Sequence, residues 1–116
     1  CDYFNIRLSK NAGISGSLAI ALAAQAAGIK VQVGAQVGET GILSAAGRIF
    51  AAHLPALAYA EGSFGTWLLT EDVTFESVAF GHGGRAPLLK TPALRSMKKR
   101  WNAWRSRSSI CAVKRP

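Results

Sequence analysis

Asp-Tyr-Phe-Asn-Ile-Arg-Leu-Ser-Lys-Asn-Ala-Gly, residues 2–13, is the stretch whose reading decides the fold. Tyr3 to Leu8 is a short run of residues that favour extended backbone, followed by polar residues and a glycine ahead of a long Ala-rich segment. A buried parallel strand feeding a crossover helix has this appearance. Side chains alternate along a strand, so Tyr3, Asn5 and Arg7 share one face and Phe4, Ile6 and Leu8 the other. The second face is wholly apolar and is expected to pack on helices. The first face carries an amide and a guanidinium toward the C-terminal end of the strand. In a β/α barrel, that end is where chemistry is placed.

Working outward, Ile14 to Ala27 reads as a helix with Leu18, Ala21, Leu22 and Gln25 at helical spacing. Ser15 or Ser17 can cap its start, and Gly28 suits the position just past its end. The many alanines keep the helix narrow on several sides, as packing between a sheet and neighbouring helices requires. Ile29 to Val33 is the next strand, with Ile29, Val31 and Val33 on one face and Lys30 and Gln32 on the other. It runs into the Gly-rich loop Gly34 to Gly41. A second helix follows through Ile42, Leu43, Ala46, Ile49 and Phe50 and stops before Pro55. Ala56 to Glu61 is a third strand candidate. The order βαβαβ with short links is a parallel α/β pattern. From Leu68 the pattern changes: Val73, Phe75 and Val78 suggest extended segments, and the glycines after Phe80 suggest a loop.

Half of the 116 residues, 49%, are hydrophobic, which argues against disorder of the whole chain. The chain opens on Cys1 and enters a strand at once, which reads as a piece of a longer protein. Cys1 and Cys111 have no CxxC spacing and no further partners, so neither a zinc site nor a disulfide framework is indicated and a reducing, cytoplasmic setting is expected. The longest apolar run, Ile14 to Ala27, is too short and too interrupted to span a bilayer. The net charge of +8 is unevenly placed. Residues 1–84 hold Arg7, Lys10, Lys30 and Arg48 against all six acids, and the remaining ten bases fall in residues 85–116. The basic character therefore belongs to the tail and says nothing of the body.

The Gly-rich loop lacks the GxGxxG spacing and the Lys-Ser/Thr pair of nucleotide-binding loops. His53, ahead of Pro55, reads as a surface or capping residue, and His82 lies between glycines. Neither has a companion at metal-ligand spacing.

Residues 2–13 resemble the late-barrel strand and turn of muconate lactonizing enzymes and dipeptide epimerases in the enolase superfamily. The pattern there is Asp, three residues, Ile or Leu, Lys, two residues, Lys, then a pair of glycines. The resemblance continues through Ala26-Ala-Gly-Ile29, the Gly-rich loop with its acid at Glu39, and Leu68-Leu-Thr-Glu-Asp-Val73, and it covers residues 2 to about 90. It implies the C-terminal part of a (β/α)7β-type TIM barrel, about three strands and two helices, incomplete by itself. Residues 1–70 would belong to the barrel and 71–90 to a segment returning toward a capping domain. It also implies a homo-oligomeric, Mg²⁺-dependent isomerase or lyase that removes the proton α to the carboxylate of a small substrate. The Mg²⁺ ligands and a catalytic lysine pair would lie upstream, leaving the chain inactive alone. Arg7 stands where a base Lys is expected, and Glu39, one place late, matches the acid of the loop. These two are the expected catalytic residues, with Asn5, Lys10 and Gln36 expected to touch substrate. An arginine keeps its charge and is a poor base, so Arg7 suits orienting a carboxylate or stabilising an enediolate. That favours one-base chemistry over a two-base racemase.

The alternative places function in the tail. Leu94, Met97, Trp101 and Trp104 fall on one helical face among Arg95, Lys98, Lys99 and Arg105, a pattern able to bind nucleic acid or an anionic membrane. The body gives no support to either partner. The codons of Met97, Trp101 and Trp104 are unique, and residues 91–105 can be read one base out of phase as Thr-Gly-Leu-Ala-Val-Asp-Glu-Glu-Ala-Leu-Glu-Arg-Leu-Ala. That resembles the acidic ending of the same superfamily. Residues 91–116 are thus expected to be a basic, irregular or helical tail produced by a shift of frame near Lys90.

Overall fold

The computed structural model describes residues 1–74, 76–88 and 102–103. Three parallel strands lie in the order of the sequence: β1 (Tyr3–Ile6), β2 (Lys30–Val33) and β3 (Leu57–Ala60). Helices α1 (Gly13–Ala26) and α2 (Gly41–His53) make the two crossovers, and a single turn of helix, α3 (Gly65–Leu68), follows β3. This is the expected βαβαβ unit. Asn5 pairs with Gln32 and Gln32 with Tyr59, while a bulge between Val31 and Gln32 shifts the β2–β3 register.

The core lies on one side of the sheet. Ile6, Leu8, Val31 and Val33 pack with Ala21 and Ala24 of α1 and with Phe50 and Leu54. The face expected to be wholly covered is so at Ile6 and Leu8, whereas Phe4, near the start of an edge strand, stays 37% exposed. β1 also ends two residues earlier than expected. The amide of Lys10 bonds Arg7 O, that of Gly13 bonds Leu8 O, and Ala12 adopts a left-handed conformation, so the chain is already turning at Leu8 and turns through residue 12.

α1 departs from its expected cap and face. It has no side-chain cap; its N-cap residue is Ala12. Ser17, one of the two cap candidates, lies inside the helix, fully buried against the sheet with a hydroxyl that has no hydrogen-bond partner among the described residues. The helix meets the sheet through Ser17, Ala21 and Ala24, because small side chains let it approach closely. Its larger residues Ile14, Leu18 and Leu22 form a stripe pointing away, each at least 40% exposed. The C-terminal end is as expected: Gly28, at φ +73°, ends the helix in the conformation that glycine adopts without steric cost.

Beyond α3 the expected extended segments are not strands among the described residues, and Phe75 lies outside them. Residues 69–80 instead wrap onto the start of α2. Val78 is 1% exposed and Thr74 is buried. The carboxylate of Asp72 accepts the Gly41 amide through both oxygens, at 3.0 and 2.8 Å, and so caps α2 from 31 residues downstream. Arg48, in the middle of α2, donates to the carbonyls of Val78 and Pro87. Partial burial there lowers its guanidinium pKa below the usual value. Residues 89–101 and 104–116, which hold nearly all of the expected tail, lie outside the described residues.

Candidate functional site

The sheet face opposite the core is polar and open. It divides into two layers along the strands. Toward the strand N-termini, the Tyr3 and Tyr59 rings lie 5.8 Å apart between centroids, and the Lys30 ammonium stands 5.4 Å from the Tyr3 centroid, close enough for cation–π attraction. Toward the C-termini the layer is Asn5, Gln32 and Glu61, with Arg7 next in the alternation just beyond β1. Candidate chemistry therefore gathers at the strand C-termini, where β/α proteins place their sites.

Each expected residue can be located. Asn5 lies on the exposed face with its side chain directly over Gly34, and any Cβ at position 34 would collide with its amide. A glycine is required there for the side chain to cross onto β2. Arg7 is half-buried, and among the described residues its guanidinium has no carboxylate partner. Lys10 is exposed in the turn before α1. Gln36 and Glu39 sit in the β2–α2 loop, half-buried. Glu39 turns its carboxylate back on that loop, where Oε1 accepts the Gln36 amide at 2.8 Å. The loop's acid thus holds its own turn, and no hydrogen bond among the described residues joins it to Asn5, Arg7 or Lys10. His53 bonds Ile49 O at 2.8 Å near the end of α2, as a helix-terminal residue does.

Two residues were not expected at the site. Glu61, one residue past β3, accepts Gln32 Nε2 at 2.7 Å and the Ala35 amide at 3.0 Å. Ser63 is buried, and its hydroxyl donates to Glu39 O at 3.2 Å while accepting the Gly65 amide at 3.2 Å. The signal for Glu61 was available: an acid directly following a strand, two residues from Tyr59, shares the open face. Ser63 had no signal, since nothing local marks its partner 24 residues upstream. Behind this layer a cavity of about 250 Å³ is lined by Val33, Glu39, Leu43, Arg48, Glu61 and Phe80, among others, and does not reach Asn5 or Arg7.

Among the described residues there is no group of three or more His, Cys, Asp or Glu side chains that could hold a metal ion. The residues present therefore do not fit the Mg²⁺ that the resemblance implies. No helix among them is long and apolar enough to cross a membrane.

Comparison with solved structures finds the same architecture in larger enzymes. N-succinyl Arg/Lys racemase from Bacillus cereus is similar at 26% identity with a TM-score of 0.62, over 84% of this chain and 27% of its own. An enolase from Streptomyces coelicolor is similar at 19% identity with a TM-score of 0.68, over 96% of this chain and 29% of its own, which bears on the fold alone. The chain thus spans less than a third of the length of either structure. No curated protein matches it. The model of the family described as enolase C-terminal domain-like matches residues 1–92. With three parallel strands, two crossover helices and a match over most of its length, the chain belongs to the enolase C-terminal domain-like family.

Proposed function

We propose that this chain is the closing part of the barrel of an enolase-superfamily enzyme, and that its open face presents Arg7 to the carboxylate of a small substrate losing its α-proton. The observation that carries this reading is Arg7 itself. It is half-buried at the strand C-termini, beside Asn5 in the alternation, and without a carboxylate partner among the described residues.

The chemistry follows from charge. As the α-proton leaves to a base, the substrate carboxylate becomes an enediolate and its oxygens gain negative charge. A guanidinium fork holding those oxygens binds the enediolate more strongly than the substrate, which lowers the barrel enzyme's barrier. Arg7 is a poor proton acceptor, so the base is another group. The Asn5 amide, turned over Gly34, can donate to the same substrate, and Lys10 and Gln36 lie in the segments that follow β1 and β2 at the same end of the sheet. Mg²⁺ is part of the proposal only as a charge-stabilising ion held by residues outside those described here.

The test is steady-state kinetics of Arg7→Lys and Arg7→Met in the complete enzyme. Loss of the fork is expected to lower kcat/KM by roughly a hundredfold or more in Arg7→Met, as removal of a group that binds developing charge does. An unchanged kcat/KM in Arg7→Met would make Arg7 structural.

A further inference from the structure

We infer that Glu61 is a positioning residue, which fixes the first turn of the β2–α2 loop and the Gln32 amide so that Gln36 and the open face take one arrangement. The inference rests on the proposed function for what is being positioned, but its geometry stands by itself. Glu61 is placed on the open side at the end of β3 because its own amide bonds Val33 O at 2.8 Å, continuing the parallel ladder one residue past the strand. Its two carboxylate oxygens then take separate partners. Oε1 accepts Gln32 Nε2 at 2.7 Å, and Oε2 accepts the Ala35 amide at 3.0 Å.

The next amide along the chain, that of Gln36, goes to a second carboxylate, Glu39 Oε1, at 2.8 Å. Two successive peptide N–H groups are thus each held by a charged acceptor, one from just past β3 and one from within the loop. Such bonds are stronger than neutral ones, and together they define the direction in which the chain leaves β2. Ser63 adds a third tie by donating to Glu39 O at 3.2 Å. The loop bearing Gln36 is therefore shaped by residues that follow β3. Glu61 is the one that reaches both this loop and the middle strand.

Gly34 provides an internal control. Its amide bonds Ile6 O at 2.8 Å in the β1–β2 ladder, immediately before Ala35, and does not touch the Glu61 carboxylate. Amide hydrogen exchange at single-residue resolution on the complete enzyme separates the two. In Glu61→Ala, exchange at Ala35 is expected to accelerate roughly fivefold or more while Gly34 is unchanged. Glu61→Gln should restore protection, since its carbonyl can accept from Ala35 while its NH₂ donates to a Gln32 amide turned over to accept. Unchanged exchange at Ala35 in Glu61→Ala would overturn the inference. So would equal acceleration at Gly34, which would mark a general loosening of the sheet, or failure of Glu61→Gln to rescue. None of these readouts needs substrate, so a failure here is separable from a failure of the carboxylate-binding reading, which appears in the kinetics of the Arg7 variants.

Discussion

The open face derives its character from a few contacts at single residues. Asn5 crosses onto β2 only because position 34 is glycine, so Gly34→Ala should force the amide away. We expect Gly34→Ala in the complete enzyme to weaken substrate binding while leaving the core intact, read as a raised KM with a nearly unchanged thermal midpoint. On the opposite face, Ser17 hides a hydroxyl with no hydrogen-bond partner among the described residues. An unsatisfied buried hydroxyl costs about 1–3 kcal/mol, and alanine fills nearly the same space. Ser17→Ala should therefore stabilise the chain by about 1 kcal/mol in urea denaturation; a loss of stability would show that the hydroxyl has a partner. Ile6, 1% exposed at the centre of the core, should behave oppositely, with Ile6→Ala costing about 2–5 kcal/mol through lost burial and the cavity left behind.

Among the elements, α2 is the one on which the site loop depends, because the loop leads directly into it. Its first amide is held by Asp72, and its middle is tied to residues 78–87 by Arg48. Replacing Asp72 by alanine should cost about 1–2 kcal/mol, the usual penalty for losing a helix cap, and expose residues 69–80 to limited proteolysis. Equal cleavage rates in the two proteins would mean that Asp72 does not hold the segment. The elements also show what local sequence carries. The alternation of Tyr3–Leu8 and Ile29–Val33, the helical spacing after each, and Gly28 as a terminator are short-range signals, and each element they imply is present. The packing face of α1 was misleading because Leu18 and Leu22 promise burial, yet alanines and Ser17 give the closer approach to a sheet. Asp72 as a cap was not legible, since its partner lies 31 residues away and only the folded chain joins them. The basic tail has its own prediction. The family match ends at residue 92, two residues past Lys90. Resequencing the coding DNA across that codon should reveal a shift of frame restoring an acidic ending; a confirmed basic frame with no acidic ending in the alternative reading would contradict the shift, and only salt-sensitive binding of residues 91–116 to nucleic acid or anionic vesicles would return function to the tail.

For the whole molecule, two edge strands among the described residues, an open polar face and the exposed Ile14–Leu18–Leu22 stripe are the surfaces that the rest of the proposed barrel would cover. We expect the 12.2 kDa chain to self-associate on its own, giving sedimentation boundaries heavier than a monomer. A concentration-independent monomer would argue that these surfaces need no cover. Within the complete barrel, the central claim is that Arg7 holds a substrate carboxylate while its α-proton leaves to another group. The most direct measurement is deuterium incorporation at the substrate α-carbon in D₂O, compared among the unsubstituted enzyme, Arg7→Lys and Arg7→Met. The account predicts strongly reduced incorporation in Arg7→Met, and in Arg7→Lys a gain of exchange on the face of the carbon that position 7 approaches. Incorporation unchanged in both variants would contradict it.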